Sequence, residues 1–226
     1  EHPILTNAEL SGLKRISHRD WKCQEIDITF PVSTGEEGLF AALKRICTEA
    51  EDAVDQGFQL LILSDRNVGT DCVAPSMLLA SSTVHQHLVR RAKRTRVGLI
   101  VESGEPREVH HHCLLIGYGA DAINPYLAYE ALWQVSRDGG IDAAQFADDD
   151  AVVEAYRKGV AKGLFKVMGK MDIAERRLPQ DGRASIRIGD GDVDVRISTV
   201  PVQNGERVVF RILDKTAKVY NLDQIG

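Results

Sequence analysis

The chain has 226 residues, 43% of them hydrophobic and 27% charged, with a formal net charge of −5. These are the proportions of an ordinary globular protein with room for one good core, or for one core and a satellite. The acidic balance gives no electrostatic footing for nucleic acid or an anionic membrane. No run approaches the roughly eighteen apolar residues of a membrane span, and Glu1-His2-Pro3 opens no basic-then-apolar leader. A cytoplasmic location without membrane insertion is therefore expected.

Taken in order, the chain reads first as α/β. A helix is expected from Ala8 to Ile16, with Asn7 placed to cap it, and the β-branched alternation Ile26 to Phe30 reads as a strand ended by Pro31. Ser33 with Glu36 and Thr34 with Glu37 are overlapping capping-box candidates, either of which could satisfy the free N–H groups of a new helix. Behind them Leu39, Leu43, Ile46, Cys47, Ala50 and Val54 recur at helical spacing up to Gly57. Phe58 to Leu63 is a second, buried strand that opens into Ser64-Asp65-Arg66-Asn67. Such a cluster at a strand's carboxyl end is where an α/β protein would bind something, and equally what any strand exit needs to reach solvent. A helix follows Pro75 and runs to Arg96, with a basic end at Arg90, Arg91, Lys93, Arg94 and Arg96. Cations there complement the helix dipole, and no aromatic side chain is interleaved for base stacking, so this reads as a solvated helix end.

Val97 to Val101 is an unbroken apolar run, the mark of a strand covered on both faces. A polar hinge, a helix ending near Gly117, a short strand at Asp121 to Asn124 and a helix opened by Pro125 complete a β-α-β-α pattern. After Asp138-Gly139-Gly140 and a loop from Ile141 to Ala147, Asp148-Asp149-Asp150 starts a helix. Its stripe is Val153, Tyr156, Val160, Leu164 and Met168, and Gly159 and Gly163 would allow close backbone approach. Past Met171 the period switches to two. Strands are expected around 184–188, 193–197 and 208–212, joined by turns at Gly189–Asp192 and Asn204-Gly205. The fold class expected is α/β, parallel strands with covering helices, over 1–170, followed by a small antiparallel β-rich α+β module over 171–226.

Little in this pattern carries chemistry. Cys23, Cys47, Cys72 and Cys113 are widely spaced, with no C-x-x-C, and read as reduced structural thiols. Neighbours in His110-His111-His112 would point about 100° apart on a helix and no histidine pair stands four residues apart, so no metal site is expected. Gly117-Tyr118-Gly119 precedes a strand rather than following one, which is not a dinucleotide fingerprint. In the last module Arg187, Arg196 and Arg211 should share one sheet face, where three guanidinium groups could hold phosphate. Asp194 on that face makes a solvated ion-pair surface the plainer reading.

Several stretches carry a resemblance. HPILTNAEL, EIDITFPVSTGEEGLFAAL, LLILSDRNV, TRVGLIVESGEPREVHHHCLLIGYGADAINPYLAYEAL and YRKGVAKGLFKVMGKM closely resemble the large subunit of glutamate synthase. The match spans about residues 2–170 and lies in the later part of that family's central domain, between the glutaminase domain and the FMN-binding barrel. MDIAERRLPQDGRASIRI, VDVRISTVPVQNGERVVFRILDK and LDQIG resemble the N-terminal β-rich domain of type II secretion and type IV pilus-assembly ATPases, over about 171–226. The chain looks like a chimera whose parents share the approximate string KVM-x-x-M and join near Lys166 to Met171.

The first resemblance implies a parent that converts glutamine and 2-oxoglutarate into two glutamates with FMN and an iron–sulfur cluster. Residue 1 is Glu1 rather than the nucleophilic cysteine, a close-set cysteine group is absent, and so is the flavin barrel. The second implies that Arg196 and Arg211 would reach a nucleotide phosphate, but only with an ATPase domain present, and no G-x-x-x-x-G-K-[ST] loop occurs. A non-catalytic fragment without cofactor, catalytic residue or metal is expected. Its partners would be the remaining glutamate synthase domains or a secretion-ATPase domain, and nucleotide or anion binding on the arginine face is the alternative.

Overall fold

Residues 2–16, 21–141, 146, 148–188, 191–203 and 205–213 are described by a computed structural model. The expected loop at 141–147 for the most part, residues 189 and 190 of one turn, Asn204 of the other, the side chain of Arg187 and the terminal LDQIG lie outside the described residues. In chain order the first part runs α1 (Asn7–Lys14), β1 (Cys23–Asp27), β2 (Phe30–Pro31), α2 (Gly35–Asp55), β3 (Leu60–Ser64), β4 (Cys72–Val73), α3 (Met77–Arg90), β5 (Gly98–Glu102), α4 (Val109–Gly117), β6 (Ala122–Asn124), α5 (Tyr126–Arg137) and α6 (Asp149–Met168). The second part is β7 (Gln180–Ile188), β8 (Gly191–Val202) and β9 (Gly205–Leu213). Two compact units divide the chain, Glu1–Ala161 and Lys162–Gly226, so the division falls inside α6.

In the first unit β1, β3, β5 and β6 form a four-stranded parallel sheet in that spatial order. The central strands β3 (LLILS) and β5 (GLIVE) are apolar runs covered on both faces, while β1 (CQEID) is a polar edge strand that buries only Ile26. Leu63, Val101 and Ile123 stand in one cross-strand row with Ile26, all fully buried, and each such side chain contributes about 1.5–3 kcal/mol on leaving water. On the other face Ile62 and Ile100 pack with Leu10 of α1, alongside Leu5 and Leu13. The crossover helices α2, α3 and α4 touch one another in sequence, as expected when every parallel connection turns the same way. Ile4 pairs in parallel with Ile123, so the start of the chain lines the β6 edge.

Several sequence expectations shift. Thr6, not Asn7, caps α1: its hydroxyl accepts from Glu9 N–H and the Glu9 carboxylate accepts from Thr6 N–H, a complete capping box. The boxes expected at Ser33 and Thr34 are not made, because residues 32–34 wind into a 3₁₀ turn. Thr34 turns its hydroxyl back to donate to Pro31 O at 2.6 Å. The first strand ends at Asp27, and Phe30–Pro31 leaves the sheet to pair antiparallel with Cys72–Val73. The helix after Pro75 ends at Arg90, and the chain reverses at Ala92 in the left-handed region, φ 54°.

The second unit is an antiparallel meander, β7-β8-β9. Its inner face is led by Val195, Ile197 and Thr199, all buried, and the last turns of α6 belong to this unit. Phe165 meets Phe210 edge to face with ring centroids 4.6 Å apart. The Lys166 ammonium is 3% exposed, paired with Glu206 at 2.8 Å and donating to Glu175 O at 2.6 Å. Gly169 and Gly182 touch backbone to backbone, and a Cβ on Gly182 would collide with the Gly169 carbonyl. The close approach expected at Gly159 does not occur, since nothing lies within 4 Å of a Cβ placed there, and Met168 of the expected stripe is 46% exposed.

Candidate functional site

The carboxyl ends of parallel strands are the first place to look for chemistry. Asp27 ends β1, Ser64 ends β3 and leads into Asp65-Arg66, Glu102 ends β5 and leads into Ser103-Gly104, and Asn124 ends β6. The structure brings these residues together, and they bind one another. Glu102, 3% exposed, accepts from Lys14 Nζ at 2.8 Å, from Ser64 Oγ at 2.7 Å and from Arg66 Nε at 2.8 Å. Burial works to raise its carboxyl, but hydrogen bonds from Lys14, Ser64 and Arg66 outweigh burial and hold it below the ordinary carboxylate range. Arg66 lies 4.0 Å over the Tyr126 ring and reaches Glu130 at 3.1 Å.

Asp65 closes the next strand exit. It accepts from Ser103 Oγ at 2.6 Å and from Gly104 N–H at 3.1 Å, while its own N–H donates to Glu102 O at 3.2 Å. Asn124 donates to Leu5 O and Asn7 Oδ1, and Asn67 donates to Asp27. Sequence reading singled out Ser64 to Asn67 but not Glu102, the centre of the network. Its only signal was a carboxylate at the end of an otherwise apolar run. The cluster is a clasp between strand ends, and the consecutive strand order offers no reversal point at which a ligand crevice would form.

The remaining candidates are also occupied. Lys93 pairs with Glu51 and Asp55, and Arg91 with Glu51, whose carboxyl is held down at about 2 by hydrogen bonds from Lys93 and His87. Arg94 bonds His85 Nδ1, Val97 O, Gly119 O and Asp121. The basic helix end is solvated as expected at Arg90, Arg91 and Arg96, but Lys93 and Arg94, with side chains only 19% and 15% exposed, tie it to α2 and to the strands. Of the three adjacent histidines, His112 is buried and His110 and His111 are exposed. Among the described residues no three His, Cys, Asp or Glu side chains come together as a metal site. The four cysteines lie on β1, α2, β4 and α4. That arrangement does not fit an iron–sulfur cluster.

On the second sheet the expected arginine face is present in register. Arg196 lies opposite Arg183 on β7 and Arg211 on β9, and Arg187 lies opposite Asp192. Arg183 joins the row because β7 starts at Gln180, four residues ahead of the strand start expected at Ala184. Asp181 takes up Arg196 at 3.0 Å and accepts from Ser198, and Ser185 bonds Asp194 at 2.7 Å. Three guanidinium groups thus stand in one cross-strand row, and the ion pair on it among the described residues is Arg196 with Asp181.

A parallel sheet in chain order with covering helices, followed by an antiparallel meander, makes this an α/β domain with an antiparallel β module. The chain belongs to the glutamate synthase central domain family, whose model matches residues 1–177. Residues 132–226 match the model for type II/IV secretion system proteins, so the chain carries parts of two families that overlap along α6. Among curated relatives it is similar to glutamate synthase (NADPH) large chain of Bacillus subtilis, 46% identical over 172 residues, and to glutamate synthase (NADH) of Schizosaccharomyces pombe, 43% over 174. It is also similar to the chloroplastic ferredoxin-dependent glutamate synthase of Spinacia oleracea, 35% identical over 184 residues. Each match covers 76% of this chain but only 8–11% of the relative, so the chain spans about a tenth of their length. No helix among the described residues is long and apolar enough to cross a membrane.

Proposed function

We propose that the chain is a non-catalytic framework element: a glutamate synthase central segment that supports the domains around it, joined to an accessory module of the secretion-ATPase kind. The observation that carries this reading is the clasp at Glu102 and Asp65, which ties up polar groups at the strand ends that an α/β enzyme would present to substrate. The segment needs neither FMN nor an iron–sulfur cluster of its own, and its working partners are the rest of a glutamate synthase chain or a secretion-ATPase domain. A cytoplasmic setting suits both. The purified chain, given glutamine, 2-oxoglutarate and a reductant, is expected to form glutamate only at the no-protein background. Turnover above that level overturns the reading.

A second reading rests on the Arg183, Arg196 and Arg211 row, which could capture a nucleotide phosphate. Titration calorimetry with ATP separates the two. Saturable heat that disappears in Arg196→Ala supports anion capture, and absence of heat leaves the row as ordinary surface.

A further inference from the structure

His112 is fully buried on α4, and nothing in the clasp uses it. Its Nδ1 lies 2.8 Å from the main-chain oxygen of Glu108. A carbonyl only accepts, so the proton sits on Nδ1 and Nε2 carries a bare lone pair. That Nε2 is buried without a hydrogen-bond partner. Tyr156 of α6 closes over the ring edge-on, centroids 6.1 Å apart, and its hydroxyl donates to Arg107 O at 2.9 Å, just ahead of α4. One residue on, Arg157 donates to Ile4 O at 2.8 Å and pairs with Glu9 at 3.1 Å. One turn of α6 is thus fastened to α4 and to the N-terminal segment over an imidazole with an unused nitrogen.

A proton arriving at Nε2 would create a buried cation with a new N–H and no acceptor, which a low-dielectric site tolerates poorly. The titratable groups around the ring offer no relief. His111 on its own helix repels the imidazolium, Tyr156 on α6 is a phenol that burial keeps neutral, and Tyr129 of α5 stands behind it at 5.8 Å. Among the described residues no carboxylate acts on His112.

We propose that His112 makes the seating of α6 conditional on a neutral imidazole: proton uptake at Nε2 expels the ring and lifts the stretch 152–161 of α6 off α4. Lifting bares the apolar face of Val152, Val153 and Val160, which are buried when α6 is seated. Burial lowers the proton affinity of His112 below the ordinary histidine value of 6.5, so the lifted state binds the proton more readily. The seated state is therefore fully favoured above 6.5 and loses ground as pH falls below it.

Amide hydrogen exchange of peptides across 152–161 in the full chain, corrected for the intrinsic pH dependence of exchange, tests this. In the wild type, protection is expected to fall by up to about tenfold per pH unit below 6.5, the limit for uptake of one proton. In His112→Gln, which keeps a donor for Glu108 O and cannot be protonated, protection should stay flat down to pH 5. The proposal is overturned if the wild type keeps its protection, if His112→Gln loses it with the same midpoint, or if His2→Gln abolishes the response instead. Should His112→Gln fail to fold, NMR titration of the His112 Cε1 proton in the wild type decides. A midpoint matching that of α6 exchange supports the proposal, and two unrelated midpoints overturn it.

Discussion

Glu102 shows how one side chain settles what a strand end can do. Its two oxygens hold a lysine from α1 and a serine and an arginine from the exit of β3, so the carboxylate is an internal anchor rather than an acid or base on offer. Glu102→Leu removes that anchor, but Lys14 and Arg66 are 27% and 38% exposed and can turn to water, which moderates the cost. A loss of about 2 kcal/mol is expected, seen as a fall of about 4–8 °C in the melting of the first unit. The buried histidines set the pH response of the same unit. His2, His85 and His112 all have proton affinities lowered first by burial. Unfolding therefore takes up protons below 6.5, and stability should be level above that pH and decline beneath it. Denaturant midpoints measured from pH 8 to 5 check the sign. A midpoint that rises on acidification contradicts it.

At the scale of elements, the strands were legible because an unbroken apolar run such as Leu61-Ile62-Leu63 has nowhere to go but the middle of a sheet. The meander was legible because its apolar residues alternate. The caps and clasps were not. Thr34 looked like a capping residue, yet a 3₁₀ turn sends its hydroxyl to Pro31. The Arg94 cluster read as solvated because its partners, His85 and Asp121, lie 9 and 27 residues away in sequence. Long-range ion pairs leave no local period to detect. The glycines divide in the same way. Gly159 faces open space in mid-helix, so Gly159→Ala should stabilise the first unit by about 1 kcal/mol through helix propensity alone. Gly182→Ala drives a methyl into the Gly169 carbonyl and should destabilise the second unit by about 2 kcal/mol. Thermal melts of the two variants are expected to move in opposite directions.

For the whole molecule, the composition and the family matches tell one story from two sides. A chain that spans about a tenth of its glutamate synthase relatives has a core and a set of tied strand ends, while its second sheet follows another family's pattern. The rhythm of the sequence changes at Met171, yet the compact units part between Ala161 and Lys162. Periodicity marks where strands begin, and it does not register that the end of a preceding helix has become part of the sheet's core. Phe165→Ala, which strips the ring from Phe210, is accordingly expected to cost the second unit about 2–3 kcal/mol. The first unit should keep its denaturant midpoint. A shared drop in both would show that the helix tail serves the wrong sheet.

Lys166 and Glu206 give that tail an address. An ammonium shut away from water must meet its carboxylate wherever the helix is placed, so Phe165, Lys166 and Gly169 act together as a plug cut for one socket. All three contacts lie within Lys162–Gly226, so the seam of this compact unit sits inside a helix and not at the change of sequence rhythm.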